Sequence, residues 1–266
     1  MTTLGLGVLS WKGFDSLSAS LESYACEGLF ELFDERLLFL PEVSDEGRAI
    51  AARFGLRAEG SEKNLGILGG FRALASAMTS DIVVLLENDC PLIEPRALAE
   101  VRINEARAAL EAGAVDVFRM RSRMSPGQRF QALEKYRAMF PADDAPAPRK
   151  LAAALHRAVR SDKARRLTGG ALYASDAPEA LHPRFIEKRP EGWWRVSSAV
   201  MTWTNQSIMI RRDFFLDTII AHAAAHPSSR TVNGFPDLEK ELNTPWWRRS
   251  GFRIGVGEGI FTHERI

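Results

Sequence analysis

The sequence predicts an α/β protein with a mostly parallel central sheet flanked by helices. Two observations predict this fold class. Through the first 95 residues, short apolar segments of strand length alternate with segments of helical periodicity, which is the pattern of a doubly wound sheet. Residues 82–86 read Ile-Val-Val-Leu-Leu, and a strand that is apolar at every position is typical of a parallel sheet covered on both faces.

The first half of the chain supplies the elements of this sheet in order. Ser44 is a candidate cap for the helix that follows it, because Asp45 and Glu46 favour the positive end of a helix. The predicted strands cover residues 4–10, 37–40, 56–59 and 82–86, and the predicted helices cover residues 14–26, 45–54 and 68–78. Ligands of such sheets bind outside the carboxyl ends of the strands, so Ser10, Glu42 and Glu87 are the first candidates for function.

The second half of the chain is less regular. A helix from Pro95 to residue 112 and a strand over 115–120 continue the pattern. Residues 124–194 are interrupted by several prolines and hold a basic helical stretch over 149–166. Regular structure is predicted again over residues 196–210, 214–225, 238–242 and 253–256. We expect one domain over residues 1–266, with an irregular and helical insertion at about 124–194.

Charge and cysteine content exclude several functional classes. The 35 Lys and Arg residues nearly balance the 34 Asp and Glu residues, for a formal charge of +1, so an overall nucleic-acid-binding surface is excluded. Two cysteines cannot form a disulfide framework, which favours a reducing compartment. The amino terminus lacks the basic region of a signal peptide, and the apolar runs are far shorter than the ~20 residues that cross a bilayer. We therefore expect a cytoplasmic protein.

An acidic segment follows the apolar strand directly. Glu87, Asn88 and Asp89 place two carboxylates and an amide at the carboxyl end of the strand. Hard divalent cations such as Mg²⁺ or Mn²⁺ prefer these oxygen ligands and bind phosphates on their open side. The alternative is a solvated turn in which Asp89 caps the next helix.

A glycine-containing segment precedes that strand. Asn64, Gly66 and Gly69 open the helix over 68–78, where glycines let the backbone approach an anion at a helix amino terminus. The alternative is a tight turn with close packing of the helix on the sheet. Neither a GxGxxG fingerprint nor a P-loop is present.

Taken in order, these segments resemble the GT-A glycosyltransferases, especially the family 2-like members. The matching segments are Val8-Leu-Ser-Trp11, Glu42-Val-Ser-Asp45, Asn64-Leu-Gly66 and Glu87-Asn88-Asp89, the last standing where the family has its Asp-x-Asp metal motif. The resemblance implies a Rossmann-like GT-A fold whose residues 1–95 bind the nucleotide and whose residues 96–266 bind the acceptor. It implies that the donor, a nucleotide-diphosphate sugar, is bound by Ser10, Trp11, Glu42, Asn64, Gly66, Gly69 and Asn88.

The carboxyl-terminal part adds to the resemblance. Asp237 and Glu239 stand where inverting members carry their catalytic base, although Pro236 replaces an expected acid and leaves the choice between the two open. His263 stands at the position of a late histidine that contacts metal or phosphate. The resemblance therefore implies that Glu87, Asp89 and His263 hold Mn²⁺ or Mg²⁺. The alternative for His263 is an exposed histidine in a frayed tail.

Two basic segments remain. Arg119, Arg121 and Arg123 alternate along a predicted strand, where they can contact phosphate or an acidic acceptor. The stretch over 149–166 holds seven basic residues and a single acid, which is typical either of a helix at an anionic membrane surface or of a solvated lid. The first interpretation would place the protein at the inner face of the membrane.

These features predict a metal-dependent glycosyltransferase that moves a sugar to a hydroxyl on a glycan or lipid-linked acceptor. The resemblance suggests cell-surface polysaccharide synthesis. One alternative is a sugar-phosphate nucleotidyltransferase, for which the Ser10–Gly13 loop is a poor match. A second alternative is a catalytically silent relative that binds glycan or a partner protein.

Overall fold

A nine-stranded sheet runs through the molecule. A computed structural model of the chain describes residues 2–128, 130–227 and 229–265. The strands, in chain order, are β1 (Leu4–Leu9), β2 (Glu35–Leu40), β3 (Arg57–Gly60), β4 (Ile82–Glu87), β5 (Val117–Arg121), β6 (Ile186–Lys188), β7 (Trp194–Ser197), β8 (Ile208–Arg211), β9 (Thr231–Val232), β10 (Phe235–Pro236) and β11 (Arg253–Phe261). Strands β9 and β10 form a separate hairpin.

The order of the strands brings distant parts of the chain to one edge of the sheet. The order is β3-β2-β1-β4-β8-β5-β11-β7-β6. The first four strands are parallel, β8 is antiparallel to both β4 and β5, and β11 is parallel to β5. The carboxyl ends of β1, β2, β4, β5 and β11 therefore lie at the same edge as the beginning of β8.

Helices cover both faces of the sheet. They are α1 (Phe14–Cys26), α2 (Asp45–Arg53), α3 (Gly66–Ala77), α4 (Arg96–Glu111), α5 (Gln131–Met139), α6 (Ala147–Val159), α7 (Ser161–Leu167), α8 (Pro178–Leu181), α9 (Arg212–Phe214), α10 (Ala221–Ala225), α11 (Leu238–Leu242) and α12 (Pro245–Arg249). A π-helical segment, Phe215–Ile220, joins α9 to α10. In the part of the chain that is described, no helix combines the length and apolar character needed to cross a membrane.

Alternate residues of the central strands enter two separate cores. Val83 and Leu85 pack with α3 on one face, whereas Val84 and Leu86 pack with α1 and α4 on the other. All five apolar residues of β4 are buried, as predicted for a strand covered on both faces. The predicted cap of α2 is also confirmed, because the Ser44 hydroxyl accepts a hydrogen bond of 3.1 Å from the Gly47 amide.

Two predictions of regular structure were wrong in extent. The insertion over 124–194, predicted to be irregular and helical, contains α5 to α8 and a 3₁₀ segment (Thr168–Tyr173). The predicted regular segment over 196–210 is divided, because β7 ends at Ser197 and β8 begins at Ile208.

The last strand, predicted over 253–256, continues to Phe261. The glycines of this segment are typical of a turn, but in the structure they allow neighbouring atoms of β5 to pack closely against β11. A Cβ atom on Gly255 would lie 2.4 Å from the Phe118 ring, and one on Gly259, whose φ is +73°, would lie 2.2 Å from the carbonyl oxygen of Arg121. The glycines therefore let β11 continue alongside β5.

Candidate functional site

Three side chains with metal-ligand chemistry meet where β4 and β11 end. Ligand atoms of Glu87, Asp89 and His263 all lie within 4.8 Å of one another. The Nε2 atom of His263 lies 3.2 Å from Oδ2 of Asp89. Asp89 is 2% exposed and His263 is 8% exposed. The structure thus brings together the mid-chain acids and the late histidine that the sequence singled out.

Backbone hydrogen bonds hold the carboxyl-terminal segment beside the acidic segment. The Thr262 amide donates to the carbonyl of Pro91 at 3.0 Å, and the Glu264 amide donates to the carbonyl of Asp89 at 2.9 Å. These bonds extend the sheet beyond β11, so His263 lies in an anchored segment. The alternative of a frayed tail does not fit this geometry.

A second contact orients the imidazole of His263. Its Nδ1 atom lies 3.0 Å from the carbonyl oxygen of Gln128, so Nδ1 carries the proton that it donates to this oxygen and Nε2 faces Asp89. Gly127 makes the contact possible, because its φ is +74° and a Cβ atom there would lie 2.1 Å from the carbonyl oxygen of His263. Metal-binding histidines are commonly oriented by such a bond from the ring nitrogen that does not bind the metal.

The electrostatics of the cluster favour a cation. Burial, together with the charges of Glu239 and Asp89, raises the pKa of Glu87 to about 8. Burial alone would lower the pKa of His263, but the hydrogen bond to Asp89, the charge of Asp89 and the hydrogen bond to the Gln128 carbonyl together raise it. Oδ1 of Asp89 is buried and has no hydrogen-bond partner among the described residues. Two carboxylates and an imidazole, with one buried oxygen left unpaired, fit Mn²⁺ or Mg²⁺.

A cavity of about 200 Å³ adjoins this cluster. Five predicted residues line it, namely Trp11, Asn64, Gly66, Glu87 and Asn88. The other lining residues are Leu9, Pro41, Ile67, Val232, Asn233, Phe235 and Arg265. We call this space the nucleotide-side cavity. It combines apolar walls with a few polar groups and opens onto the metal-type cluster, which is the usual composition of a small-ligand site.

Three other predicted nucleotide-binding residues do not line the cavity. Ser10 is buried and donates a hydrogen bond of 3.3 Å to the carbonyl of Lys12. Glu42 accepts a bond of 2.9 Å from the indole N–H of Trp11, so it holds a residue of the cavity wall. Gly69 lies within α3, and a Cβ atom there would meet Leu65 at 2.9 Å.

The asparagines predicted for this site fix the loops around it. The side-chain oxygen of Asn64 accepts a hydrogen bond of 2.8 Å from the Gly66 amide at the start of α3. The side-chain amide of Asn88 donates to the carbonyl of Gly13 at 3.0 Å and so holds the loop after β1. Gly66 has a φ of +64°, and a Cβ atom there would lie 2.3 Å from Phe235. Glycine therefore lets the hairpin of β9 and β10 approach the nucleotide-side cavity.

Asp237 and Glu239 occupy different environments at the start of α11. Asp237 caps the helix, since its Oδ1 atom accepts a bond of 3.1 Å from the Glu239 amide. Oε1 of Glu239 accepts bonds from the Thr204 hydroxyl at 2.9 Å and the Asn205 amide at 3.1 Å. Burial raises the pKa of each carboxyl group. Glu239 is thus fixed to the segment before β8, close enough for its charge to reach Glu87.

A second cavity, of about 430 Å³, lies on the far side of these two acids. We call it the basic cavity. Its charged lining residues are Asp237, Glu239, Arg119, Arg121, Lys135, Arg230 and Lys240. Two of these residues, Arg119 and Arg121, were already candidates in the sequence, where they alternate with Arg123. Thr204 and Gln206 also line it, and their position depends on the pairing of β8 between β4 and β5.

Comparisons with known proteins identify the fold. No protein-family model matches the chain, and no curated protein matches it. Solved structures do match. TarS of S. aureus matches with a TM-score of 0.54 at 13% identity over 99% of this chain. A crystal structure of TarS 1–349 with UDP-GlcNAc matches with a TM-score of 0.52 at 11% identity over 98% of it. A mycobacterial protein matches with a TM-score of 0.51 at 14% identity over the whole chain.

The chain has the fold of the GT-A glycosyltransferases. It spans 36% of the longer TarS chain, 58% of the shorter one and 68% of the mycobacterial protein. The predicted fold class is therefore confirmed.

Proposed function

We propose that this protein is a glycosyltransferase that moves a sugar from a nucleotide-diphosphate donor to an acceptor hydroxyl. One observation carries the proposal. The buried and unpaired Oδ1 atom of Asp89 lies in a cluster with Glu87 and the oriented Nε2 atom of His263. This set of ligands, at the carboxyl edge of a GT-A sheet, is suited to hold a divalent cation against a diphosphate.

The residues of the cluster would bind Mn²⁺ or Mg²⁺ through two carboxylates and one imidazole. A bound divalent cation would supply Lewis-acid stabilisation of the charge on the departing nucleotide diphosphate. Arg265 lines the nucleotide-side cavity, and its Nε atom lies 3.6 Å from Oδ2 of Asp89. The guanidinium of Arg265 is therefore placed to contact the same diphosphate.

The nucleotide-side cavity would hold the base and ribose of the donor. Trp11 offers a flat surface for a base, and its indole is fixed by Glu42. UDP-GlcNAc, bound by TarS 1–349, makes uridine-diphosphate sugars the first donors to test. The division into a nucleotide-binding half (1–95) and an acceptor half (96–266) remains part of this proposal.

Glu239 is the acid whose surroundings best suit a base in an inverting transfer. Both of its hydrogen bonds go to Oε1, which leaves Oε2 to receive the proton of the acceptor hydroxyl. Burial raises its pKa, which strengthens a carboxylate as a base. Asp237 is engaged in capping α11, so we assign it mainly a positioning role.

Matched amide variants separate these two acids. Glu239→Gln keeps an oxygen that accepts the bonds from Thr204 and Asn205, and Asp237→Asn keeps the cap of α11. We expect Glu239→Gln to lower kcat by about 10²-fold or more, with KM for the donor unchanged. Asp237→Asn is expected to keep kcat within about tenfold of the wild type. The opposite order would assign the base to Asp237.

The surface of α6 supports contact with a membrane. Leu151, Leu155 and Val159 are 63%, 61% and 82% exposed, so the apolar side of this helix points to solvent. Seven basic residues lie in the same stretch, namely Arg149, Lys150, Arg157, Arg160, Lys163, Arg165 and Arg166. An apolar stripe flanked by cations fits an anionic lipid surface. We therefore propose that α6 docks on the inner face of an anionic membrane, near a glycan or lipid-linked acceptor of polysaccharide synthesis.

A product assay tests the proposed function. The protein is incubated with Mn²⁺ and UDP-, GDP- or TDP-sugars, and release of the nucleoside diphosphate is measured with and without candidate acceptors. A glycosyltransferase releases the nucleoside diphosphate from at least one donor, and Asp89→Asn abolishes the release. Release of pyrophosphate from a nucleoside triphosphate and a sugar phosphate would instead indicate a nucleotidyltransferase. Binding of the nucleotide sugar with no turnover would indicate a silent relative.

A further inference from the structure

The basic cavity has an excess of cations over acids. Its five basic residues are Arg119, Arg121, Lys135, Arg230 and Lys240, and its acids are Asp237 and Glu239. An excess of positive charge within a concave site raises the local concentration of anions. The composition of this cavity therefore differs from that of a site for a neutral sugar.

Two of these cations are buried arginines. Arg119 is 3% exposed and Arg121 is 2% exposed. They alternate along β5, so their side chains leave the strand on the same side. Arg119 donates to the carbonyl of Thr202. Arg121 donates from Nε to the carbonyl of Pro126 at 2.5 Å, from one terminal nitrogen to the side-chain oxygen of Gln206 and from the other to the carbonyl of Gln128 at 3.2 Å.

Among the described residues, neither arginine has a carboxylate partner. Within the described ranges, no ion pair within 4.0 Å involves Arg119 or Arg121. Arg123, the next arginine on the same side of the strand, is equally buried and pairs with Glu258 at 2.6 Å. Burying a guanidinium without an opposing charge is costly unless an anion completes the site. The donors of Arg119 and Arg121 are met by neutral oxygens, so their positive charges stay uncompensated and attract an anion from outside the chain.

The acid nearest to these arginines does not replace that anion. The charge of Glu239 favours the charged form of Arg121, but the bonds to Oε1 of Glu239 come from Thr204 and Asn205. One carboxylate beside two buried guanidinium groups leaves a net positive charge. The planar donors of arginine match the two oxygens of a phosphate or carboxylate.

In the proposed function the donor diphosphate lies in a different cavity. The nucleotide-side cavity and the basic cavity share no lining residue. The hairpin of β9 and β10 contributes Val232 and Phe235 to the nucleotide-side cavity, whereas Arg230 and Asp237, which flank the hairpin in the chain, line the basic cavity. Arg265 is the cation on that side, next to Asp89.

We propose that the basic cavity binds an oxyanion of the acceptor, so that the acceptor of this enzyme carries a phosphate or a carboxylate group. Arg119 and Arg121 hold the oxyanion from within, while Lys135 and Arg230 contact it from the exposed rim. Glu239 then faces the acceptor hydroxyl from the same cavity wall. The inference rests on the proposed glycosyltransferase function, because that function makes this cavity the acceptor side.

Three matched hexoses test the proposal by titration of the full chain. Glucose 6-phosphate, glucuronate and glucose carry a phosphate, a carboxylate and a neutral group at the same carbon. We expect glucose 6-phosphate or glucuronate to bind at least about tenfold more tightly than glucose, and the tighter of the two identifies the oxyanion. Saturating UDP with Mn²⁺ is expected to leave this binding unchanged.

Variants assign the binding to the basic cavity. Arg121→Met keeps an unbranched apolar chain and removes the charge, and we expect it to weaken binding of the oxyanion at least about tenfold. Because this residue is buried, Lys135→Gln at the exposed rim provides a second variant that leaves the core intact, with an expected loss of about twofold to fivefold. Lys188→Gln, on β6 and outside this cavity, is the matched control and keeps wild-type binding.

Several results would overturn the inference. Equal binding of all three hexoses would remove the preference for an oxyanion. Displacement of glucose 6-phosphate by UDP with Mn²⁺ would assign the arginines to the donor diphosphate. Unchanged binding in both cavity variants would place the oxyanion elsewhere. A separate titration with UDP and Mn²⁺, without any hexose, tests the proposed function itself. If UDP does not bind in that titration, the proposed function fails independently of the oxyanion site.

Discussion

Replacing Asp89 by asparagine tests the cation site without changing its volume. The amide fills the space of the carboxylate but removes one anionic ligand from a cluster whose ligand atoms lie within 4.8 Å of one another. Loss of an outer-shell partner already lowers metal affinity by about 10–100-fold. Because Asp89 would bind the cation directly, we expect Asp89→Asn to lower affinity for Mn²⁺ by at least about 100-fold.

The expected thermal shift follows from linkage. At a Mn²⁺ concentration of 100 times the wild-type Kd, binding stabilises the native state by about 2.7 kcal/mol. For a protein of this size, about 2–4 °C corresponds to 1 kcal/mol, so the wild-type melting temperature should rise by about 5–10 °C. A 100-fold weaker site contributes only about 0.4 kcal/mol at the same concentration, or about 1 °C.

The assay compares each variant with itself, with and without Mn²⁺. Asp89→Asn also loses a charge-assisted bond to His263, which costs about 1.5–3 kcal/mol in the metal-free protein, so only the change caused by Mn²⁺ is diagnostic. Asp116→Asn is the matched control, since Asp116 pairs with Arg253 at 2.7 Å and lies outside the cluster. The control should keep the full shift. A full shift in Asp89→Asn would refute the assignment.

Three further predictions concern other parts of the structure. Gly127→Ala would place a Cβ atom 2.1 Å from the carbonyl oxygen of His263, so we expect it to weaken Mn²⁺ binding at least about tenfold in a calorimetric titration; wild-type affinity would contradict this. Burial raises the pKa of Glu105 to about 7, and the charge of Glu258 adds to the rise while that of Arg102 opposes it. Folding therefore takes up a proton at Glu105 at pH values between the ordinary pKa of a glutamate and 7. The stability that this proton uptake contributes is lost as the pH rises through that window. Melting curves should show Glu105→Gln more stable than the wild type at pH 8, by on the order of 1 kcal/mol once solvent exposure is allowed for, but not at pH 4; an equal gain at both pH values would contradict the reasoning. Leu155→Asp on α6 should abolish sedimentation with phosphatidylglycerol vesicles while wild-type protein sediments with them and not with phosphatidylcholine vesicles; unchanged sedimentation of the variant would exclude this surface.

The sequence predicted those elements whose signal is local. The strand over 82–86 is apolar throughout and is buried as expected, and Ser44 caps α2 because its hydroxyl needs only a neighbouring amide. The meeting of Asp89 and His263 was predicted from the resemblance to a family, since no local pattern relates residues so far apart in the chain. The sheet order explains why they meet.

Features that depend on long-range packing were missed or only partly predicted. The extension of β11 depends on glycines that admit Phe118 and the backbone of Arg121, and in the sequence these glycines resemble a turn. The bond between the Glu42 carboxylate and the indole of Trp11 was not predicted, because it joins residues on two neighbouring strand ends. Asn205 binds Glu239 only because β8 inserts between β4 and β5.

The position of a bound cation shows directly whether Glu87, Asp89 and His263 hold a divalent metal ion. Crystals grown with Mn²⁺ and UDP can be measured at a wavelength where manganese scatters anomalously. We expect one strong peak within about 2.0–2.6 Å of a carboxylate oxygen of Asp89 and of Nε2 of His263, with the diphosphate of UDP on its open side. Clear density for UDP in the nucleotide-side cavity, with the manganese peak elsewhere or absent, would contradict this expectation.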